Sequence, residues 1–302
     1  IYAIVFTNSH STLFYHNKVN QKISTVRYGE ENYPKLLKEI PGAPKTLYYF
    51  GKLPPVQHIA IAIVGTRKAT RDGIALTRQI AREISSLGIT VISGLALGID
   101  AAAHEGALFG GGVTHAVLAN GLDSIYPRQH ESLAQKIIAG GGSIISEYPE
   151  GSPALPHQFL ERNRIVSGLC VATVVIEAPE RSGALVTARN AIEQGREVFV
   201  IPGAVGNRNY RGSHFLIREG ARLVTCAKEI LEDLGIETRE EKLELNGEQK
   251  TIFEVLKENN KALDIDSIVE LTTLEPHIIQ SALAYLEIEG YIEKHGVQWK
   301  II

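Results

Sequence analysis

From residue 59 the chain alternates short apolar runs, rich in β-branched residues, with longer segments of helical spacing. The runs IAIV (61–64), TVIS (90–93), HAVLA (115–119), SIIS (143–146), TVVIE (173–177) and VFVIP (198–202) predict six strands. Between the first two, Thr77, Ile80, Ala81, Ile84 and Leu87 form one stripe over 74–87, the spacing of an amphipathic helix ended by Gly88. Strands that alternate with helices argue for βαβ units, and so for an α/β fold with a parallel sheet covered by helices on both faces.

The flanks read differently. Residues 1–55 form a lead-in in which 31–54 is a packing segment punctuated by Pro and Gly, ahead of a main domain over 56–235. The stretch EDLGIETREEKLELNGE (232–248) has no clear apolar stripe and predicts a linker, placed at 236–247. Beyond it TIFEVLKEN, IDSIVELT and EPHIIQSALAYLEIEG give three short helical patterns, and YIEKHGVQWKII alternates about His295-Gly296. Three helices and a two-stranded hairpin predict a small winged-helix domain over 248–302.

A chain of 302 residues with 44% apolar content has enough material for a large core and more than one domain. It has no run of 18 apolar residues and no secretory leader pattern, which leads us to expect a cytoplasmic protein without membrane insertion. Cys170 and Cys226 lie in or beside apolar runs and form no C-x-x-C motif, so they read as small core hydrophobes. No methionine occurs. The net charge of −3 conceals a polarity: residues 1–228 carry 24 Lys and Arg against 17 Asp and Glu, and residues 229–302 carry 7 against 17. A polyanion would meet the front of the chain and be repelled by its tail.

In an open parallel sheet, ligands bind beyond the carboxyl ends of the strands. There the sequence concentrates Gly, Ser, Arg and Asn, in GTRKATRDG (65–73), SGLALGIDAAAHEGAL (93–108), NGLDSIYPRQH (120–130), EYPEGSPALPHQFLERNRIVSGL (147–169), EAPERSGALVTA (177–188) and PGAVGNRNYRGSH (202–214). Small residues let backbone amides approach an anion, and helix N-termini favour phosphate. Gly65 opens neither a G-x-G-x-x-G fingerprint nor a P-loop, and Ser93-Gly94 and Ser182-Gly183 lack a G-x-S-x-G elbow. Asp100 and His104, spaced i, i+4, have no third metal ligand in their loop and read as a helix-start carboxylate and a structural histidine. Glu147 and Glu177 end two strands, either as an acid–base pair or as anchors for the loops. Arg162-Asn163-Arg164 with Phe159 upstream offers phosphate forks beside a stacking ring, or else a surface salt-bridge cluster. Arg67, Arg128, Arg162, Arg164, Arg181 and Arg211 are all expected on loops at one edge, which favours a polyanion ligand.

At these residues the chain resembles the DNA-processing protein A family, through VGTR (64–67), SGLALGIDAAAHEGAL, VLANGLDSIYP (117–127), FLERNRIVSGL (159–169), EAPERSGALVTA, EQGREVFVIPG (193–203) and GSHFLIREGA (212–221). The lead-in YPKLLKEIPGAPKTLYYFG (33–51) fits as well. The resemblance implies an extended Rossmann-like domain that binds single-stranded DNA, a homodimer, and a C-terminal winged helix. It also implies protection of incoming DNA in natural transformation and help in loading the RecA recombinase. Leu97 stands where many members have Arg, His130 where Asn is frequent, and Ser213-His214 where Thr-Asn is frequent; a helical N-terminal module is absent or truncated in 1–30.

On this reading Arg67 and Arg164 grip phosphates, Arg162 and Arg128 extend the basic groove, and Phe159 stacks, with Asn163 beside it. Gly65, Thr66, Ser182, Gly183 and Gly203 bring backbone donors to the strand. No catalytic residue, metal or cofactor is expected. The enzyme alternative, a Rossmann-type nucleotide phosphoribohydrolase, needs P-G-G-x-G-T-x-x-E, whereas PGAVGNRNY (202–210) lacks the second adjacent Gly and the Glu. A duplex-binding regulator would rest on the winged helix alone. Its third helix, 275–290, carries Glu275, Glu287 and Glu289 and no Lys or Arg, so the domain is expected instead to dock a protein through an apolar groove or its wing, including Trp299.

Overall fold

The computed structural model describes residues 23–55, 58–236, 245–259 and 261–301. The chain divides into two compact units, residues 1–238 and 239–302.

The first unit is built on a nine-stranded sheet. Its strands are β1 (Ser24–Arg27), β2 (Thr46–Gly51), β3 (Ala60–Val64), β4 (Thr90–Ser93), β5 (Thr114–Val117), β6 (Ser143–Ser146), β7 (Ala172–Val175), β8 (Glu197–Val200) and β9 (Arg222–Leu223), in the spatial order β1-β2-β6-β5-β4-β3-β7-β8-β9. The stretch from β6 to β9 is parallel, whereas β1 and β2 pair antiparallel. Strands β5-β4-β3-β7-β8-β9 reproduce the doubly wound order, with the chain reversing direction between β3 and β7. That reversal opens a crevice at the carboxyl ends of those two strands.

Burial explains why the six central runs are continuously apolar. In β3, Ala60, Ala62 and Val64 point into one core with Val117, Val166 and Ala188. Ile61 and Ile63 point into another with Ile80, Ile84 and Phe199. A parallel strand covered on both faces has no polar side to show. The covering helices are α1 (Lys35–Lys38), α2 (Arg71–Ser86), α3 (Ile99–Phe109), α4 (Glu131–Ala139), α5 (Pro156–Gly168), α6 (Gly183–Glu193), α7 (Arg211–Arg218) and α8 (Ala227–Asp233). Helix α2 buries Thr77, Ile80, Ala81 and Ile84 as its stripe predicts, but Leu87 falls at the C-cap and is exposed. Gly88 follows with φ +76°, a conformation costly for any residue with a Cβ.

Three segments differ from expectation. The lead-in supplies part of the sheet: β2 pairs with β6, and Tyr33, Leu37 and Ile40 sink into the core beside Leu169. The truncated N-terminal module falls largely on 1–22, outside the described residues. The acidic stretch from 232 begins inside α8, whose Ile230 and Leu231 are buried; most of the expected linker, 237–244, lies outside the described residues. Finally, 156–168 is the helix α5 and not a loop, begun by Pro156 in its first turn, where a missing N–H costs nothing.

The second unit comprises α9 (Gly247–Asn259), α10 (Ile265–Thr272), α11 (Pro276–Ile288) and a three-stranded antiparallel sheet of β10 (Leu263–Asp264), β11 (Ile292–His295) and β12 (Gln298–Ile301). Ile252, Leu256, Ile268, Ile279, Leu283, Leu286, Ile292 and Trp299 close its own core, so Trp299, expected to meet a partner, is spent on packing inside the domain. This is a winged helix, with the short β10 added to the predicted hairpin. No helix among the described residues is long and apolar enough to cross a membrane.

Candidate functional site

The crevice at the carboxyl ends of β3 and β7 holds a pocket of about 520 Å³, walled by the turn after β3, the turn after β4, the first half of α5 and the start of α6. Gly65, Thr66, Arg67, Phe159, Arg162, Asn163, Ser182 and Gly183 all line it, together with Tyr126, Asp100, Arg181 and Thr187. Eight of the eleven residues expected at the site are therefore brought together.

The floor is a buried brace. Arg162 is 4% exposed; its Nη1 donates to the carbonyls of Gly94 (2.7 Å) and Val117, and its Nε to Asn163 Oδ1 (3.3 Å). Asp100 lies nearby and accepts from the amides of Gly94 (3.1 Å) and Ala96 (3.3 Å). Burial pulls the Arg162 pKa down to about 10, opposed by the Asp100 charge, and burial raises the Asp100 carboxyl, opposed by Arg162. A Cβ at Gly94 would sit 2.5 Å from the guanidinium, so glycine is the residue that fits under Arg162. The same loop holds Leu95 at φ 57°, a left-handed conformation that a non-glycine residue keeps only when its surroundings impose it.

The rim is different in kind. Arg67 is exposed, and its guanidinium lies over the Phe159 ring with Cζ 5.0 Å from the centroid; Tyr126 packs on the same ring at 5.5 Å between centroids. Nothing in the sequence context of Tyr126 separates a stacking tyrosine from a turn residue, so its place at the rim is visible only in the fold. At the opposite wall Ser182 caps α6, its hydroxyl accepting from the Ala184 amide at 3.2 Å. The Gly183 amide has no acceptor among the described residues. A Cβ there would meet only Asn163 Nδ2, at 3.8 Å, so the space above it is open. Asn163 Nδ2 donates to the Gly183 carbonyl at 3.2 Å and fixes α5 against α6.

Gly65 is needed for packing, because a Cβ would lie 2.5 Å from Ile99 and 3.0 Å from the Glu177 carbonyl. Thr66 shapes the turn through its amide, which donates to that carbonyl (2.8 Å), and its hydroxyl, which accepts from the Lys68 amide (3.2 Å).

Three expected residues stand outside the pocket lining. Arg164 is two positions past Arg162, about 200° round the helix. It pairs with Glu147 at 2.5 Å, on a flank where its carbonyl accepts from Gln194 (3.0 Å). Burial raises the Glu147 carboxyl, and Arg164 opposes the shift. Arg128 is 88% exposed by side chain and 3.5 Å from Glu131. Gly203 makes room for the Tyr210 ring, and its carbonyl bonds His214 Nε2 at 3.0 Å. Arg162 and Arg164 are thus helical and engaged, not free loop arginines.

The remaining polar residues are internal. Glu177 is fully buried and accepts from the Thr70 amide (3.1 Å), the Thr70 hydroxyl, Asn209 Nδ2 (2.8 Å) and Tyr210 OH (3.2 Å), and it raises the Tyr210 pKa with burial to about 12. Its carboxyl fills the space where Gly73 lacks a side chain. The chain's own carboxylate therefore occupies the N-terminus of α2, where a dinucleotide would place its pyrophosphate. Glu147 and Glu177 are each committed to separate partners. His104 is buried, bonds Thr114 Oγ1 at 2.7 Å, and is pulled by burial to about 3, hence neutral. Among the described residues no group of three His, Cys, Asp or Glu is placed to hold a metal ion.

Residues 24–235 match the family model described as DNA recombination-mediator protein A, and 237–296 match the DprA winged helix domain. Protein Smf of Escherichia coli is 46% identical over 204 residues, 68% of this chain and 54% of that protein. DNA processing protein DprA of Streptococcus pneumoniae is 40% identical over 215 residues, 71% of this chain and 76% of that protein. The match thus spans about half of the E. coli relative. Among solved structures, DprA of Streptococcus pneumoniae superposes with a TM-score of 0.65 at 37% identity, over 70% of this chain and 74% of that one. DNA processing protein A of Helicobacter pylori, solved for its single-stranded DNA binding mode, gives 0.62 at 31% identity, over 70% and 95%.

Proposed function

The chain belongs to the DNA recombination-mediator protein A family, and from that membership we propose that the β3–β7 pocket binds single-stranded DNA. The observation that carries this reading is the rim: an exposed arginine lying on an aromatic ring, facing a helix N-terminus whose first amide is open. A phosphate fits between Arg67 and the α6 amides, where dipole and charge act together. Phe159 and Tyr126 offer faces to an unstacked base, which a duplex keeps inside its stack. Arg162 acts from beneath, holding the Gly94–Ala96 turn and Asn163. Arg128 and Arg181 border the site, whereas Arg164 serves the fold.

By family likeness we extend the reading to a homodimer, to protection of DNA taken up in natural transformation, and to help in loading a RecA-type recombinase. We assign a binding role and no catalytic one, since both strand-end carboxylates are engaged in anchoring. Titrating labelled single-stranded and duplex oligonucleotides at about 50 and 200 mM salt should show single-strand preference and a steep loss of affinity at the higher salt. Equal affinity for duplex, or indifference to salt, would remove the proposal; turnover of a nucleoside monophosphate would revive the hydrolase alternative.

The winged helix is assigned to protein contacts. The outward face of α11 presents Gln280, Ser281, Ala284, Tyr285 and Ile288 without one Lys or Arg, and Val297 is exposed at the wing tip. Reading a major groove needs cations near phosphates. Removing residues 236–302 should leave single-strand affinity unchanged or slightly raised; a tenfold loss would make this unit a DNA reader.

A further inference from the structure

The segments on the two sides of the pocket differ in charge. The segments after β5 and β6, residues 120–130 and 147–161, the second running into α5, carry one arginine against four carboxylates and sum to −3, with Glu147 paired to Arg164 just beyond them. The segments after β3, β7 and β8, residues 65–72, 178–183 and 202–214, which include the first residues of α2, α6 and α7, carry six cations against Asp72 and Glu180 and sum to +4. The folded chain joins these last three segments. Asn209 donates to the Lys68 carbonyl at 3.0 Å, and the Gly212 amide donates to the Ala178 carbonyl at 2.8 Å. Arg208 and Arg211 are thereby set beside Lys68 and Arg71 on one side and the Arg181 turn on the other. All are exposed, and none forms an ion pair among the described residues.

Cations crowded together without carboxylate partners are costly unless an anion visits. We infer that Lys68, Arg71, Arg208 and Arg211 form a second backbone-phosphate track, over which the strand leaves the pocket across β7 and β8. The opposite exit, past Glu150 and Glu161, is repulsive to phosphate, Glu147 there being paired with Arg164. This inference rests on the single-strand reading of the pocket, and it adds a direction and a length to it. An oligonucleotide that only fills the pocket would not feel the track; a longer one would.

The test uses the full chain with Arg208→Ala and Arg211→Ala together, and oligo-dT of about 6 and about 20 nucleotides. Neither side chain is buried or ion-paired, so the thermal transition should match that of the parent. The 20-mer should bind about tenfold more weakly and its log–log salt slope should shrink by about 1.4, near 0.7 for each lost phosphate contact, while the 6-mer is unaffected. Arg128→Ala, on the acidic flank, should change the 20-mer less. Equal losses for both lengths, no loss for either, or a larger effect from Arg128→Ala would each overturn the track. If the parent protein itself fails to bind either oligonucleotide, the pocket reading falls and the track with it.

Discussion

Arg162→Ala is expected to destabilise the first unit by several kcal/mol, about 1–3 kcal/mol for each buried carbonyl left without its donor. The guanidinium satisfies two backbone carbonyls from different strand ends, Gly94 and Val117, and is the positive charge nearest the buried Asp100. Alanine leaves those acceptors without a donor and a carboxylate without a counter-charge. Arg162→Lys should recover little, because a single ammonium cannot reproduce a planar fork of donors. The loss also depends on pH. Burial already raises the Asp100 carboxyl and Arg162 opposes it, so removing Arg162 raises it further. A raised folded-state pKa means the folded protein binds the proton more tightly than the unfolded chain, so the variant gains stability relative to the parent as pH falls from about 7 to about 5. Denaturant unfolding at both values measures this. A variant as stable as the parent that has nonetheless lost DNA affinity would place Arg162 on the surface of the groove, and the buried brace would be wrong.

The main sheet is legible in the chain because strands covered on both faces need uninterrupted apolar side chains, as in IAIV and SIIS. The edges are not. STVR, at the edge, has one buried position, and TLYYFG, next to it, is only partly buried, since this end of the sheet is less completely covered than its centre. Helix α5 is hidden for a related reason. One side packs on the sheet through Ile165 and Val166 while another presents Phe159, Arg162 and Asn163 to the pocket, so buried polar residues obscure the apolar stripe.

Legibility of the site stops at the same place. Composition shows that arginines collect at the strand ends, but Arg67, Arg162 and Arg164 look alike as letters. What separates them is depth and angle: one in solvent over a ring, one beneath the pocket on carbonyls, one round the helix on Glu147. Glycines divide likewise. Gly183 leaves open space for a ligand, and Gly203 leaves space that Tyr210 fills. No spacing rule distinguishes the two, because the filling group is seven residues away in one case and absent in the other.

Arg67 and Arg164 should therefore behave in opposite ways when each is replaced by alanine. Arg67 is exposed, has no ion pair among the described residues, and touches the protein mainly through the Phe159 ring. Its loss should change stability by no more than about 0.5 kcal/mol, as for other surface substitutions. It should weaken single-strand binding by about 1–3 kcal/mol, the range of charge-assisted hydrogen bonds, and flatten the salt dependence. Arg67→Lys should recover the salt dependence but only part of the affinity, because an ammonium keeps the charge and loses the stacked, forked geometry. Arg164 is a quarter exposed and bonded to a carboxylate that burial has already pushed toward neutrality. Its replacement should lower stability and leave the affinity of the surviving folded protein unchanged, measured well below its melting temperature. The decisive comparison is binding and unfolding on the same two variants. If Arg164→Ala weakens single-strand binding as much as Arg67→Ala while both remain fully folded, the strand wraps the far flank of α5, and the phosphate site drawn between Arg67 and Gly183 is in the wrong place.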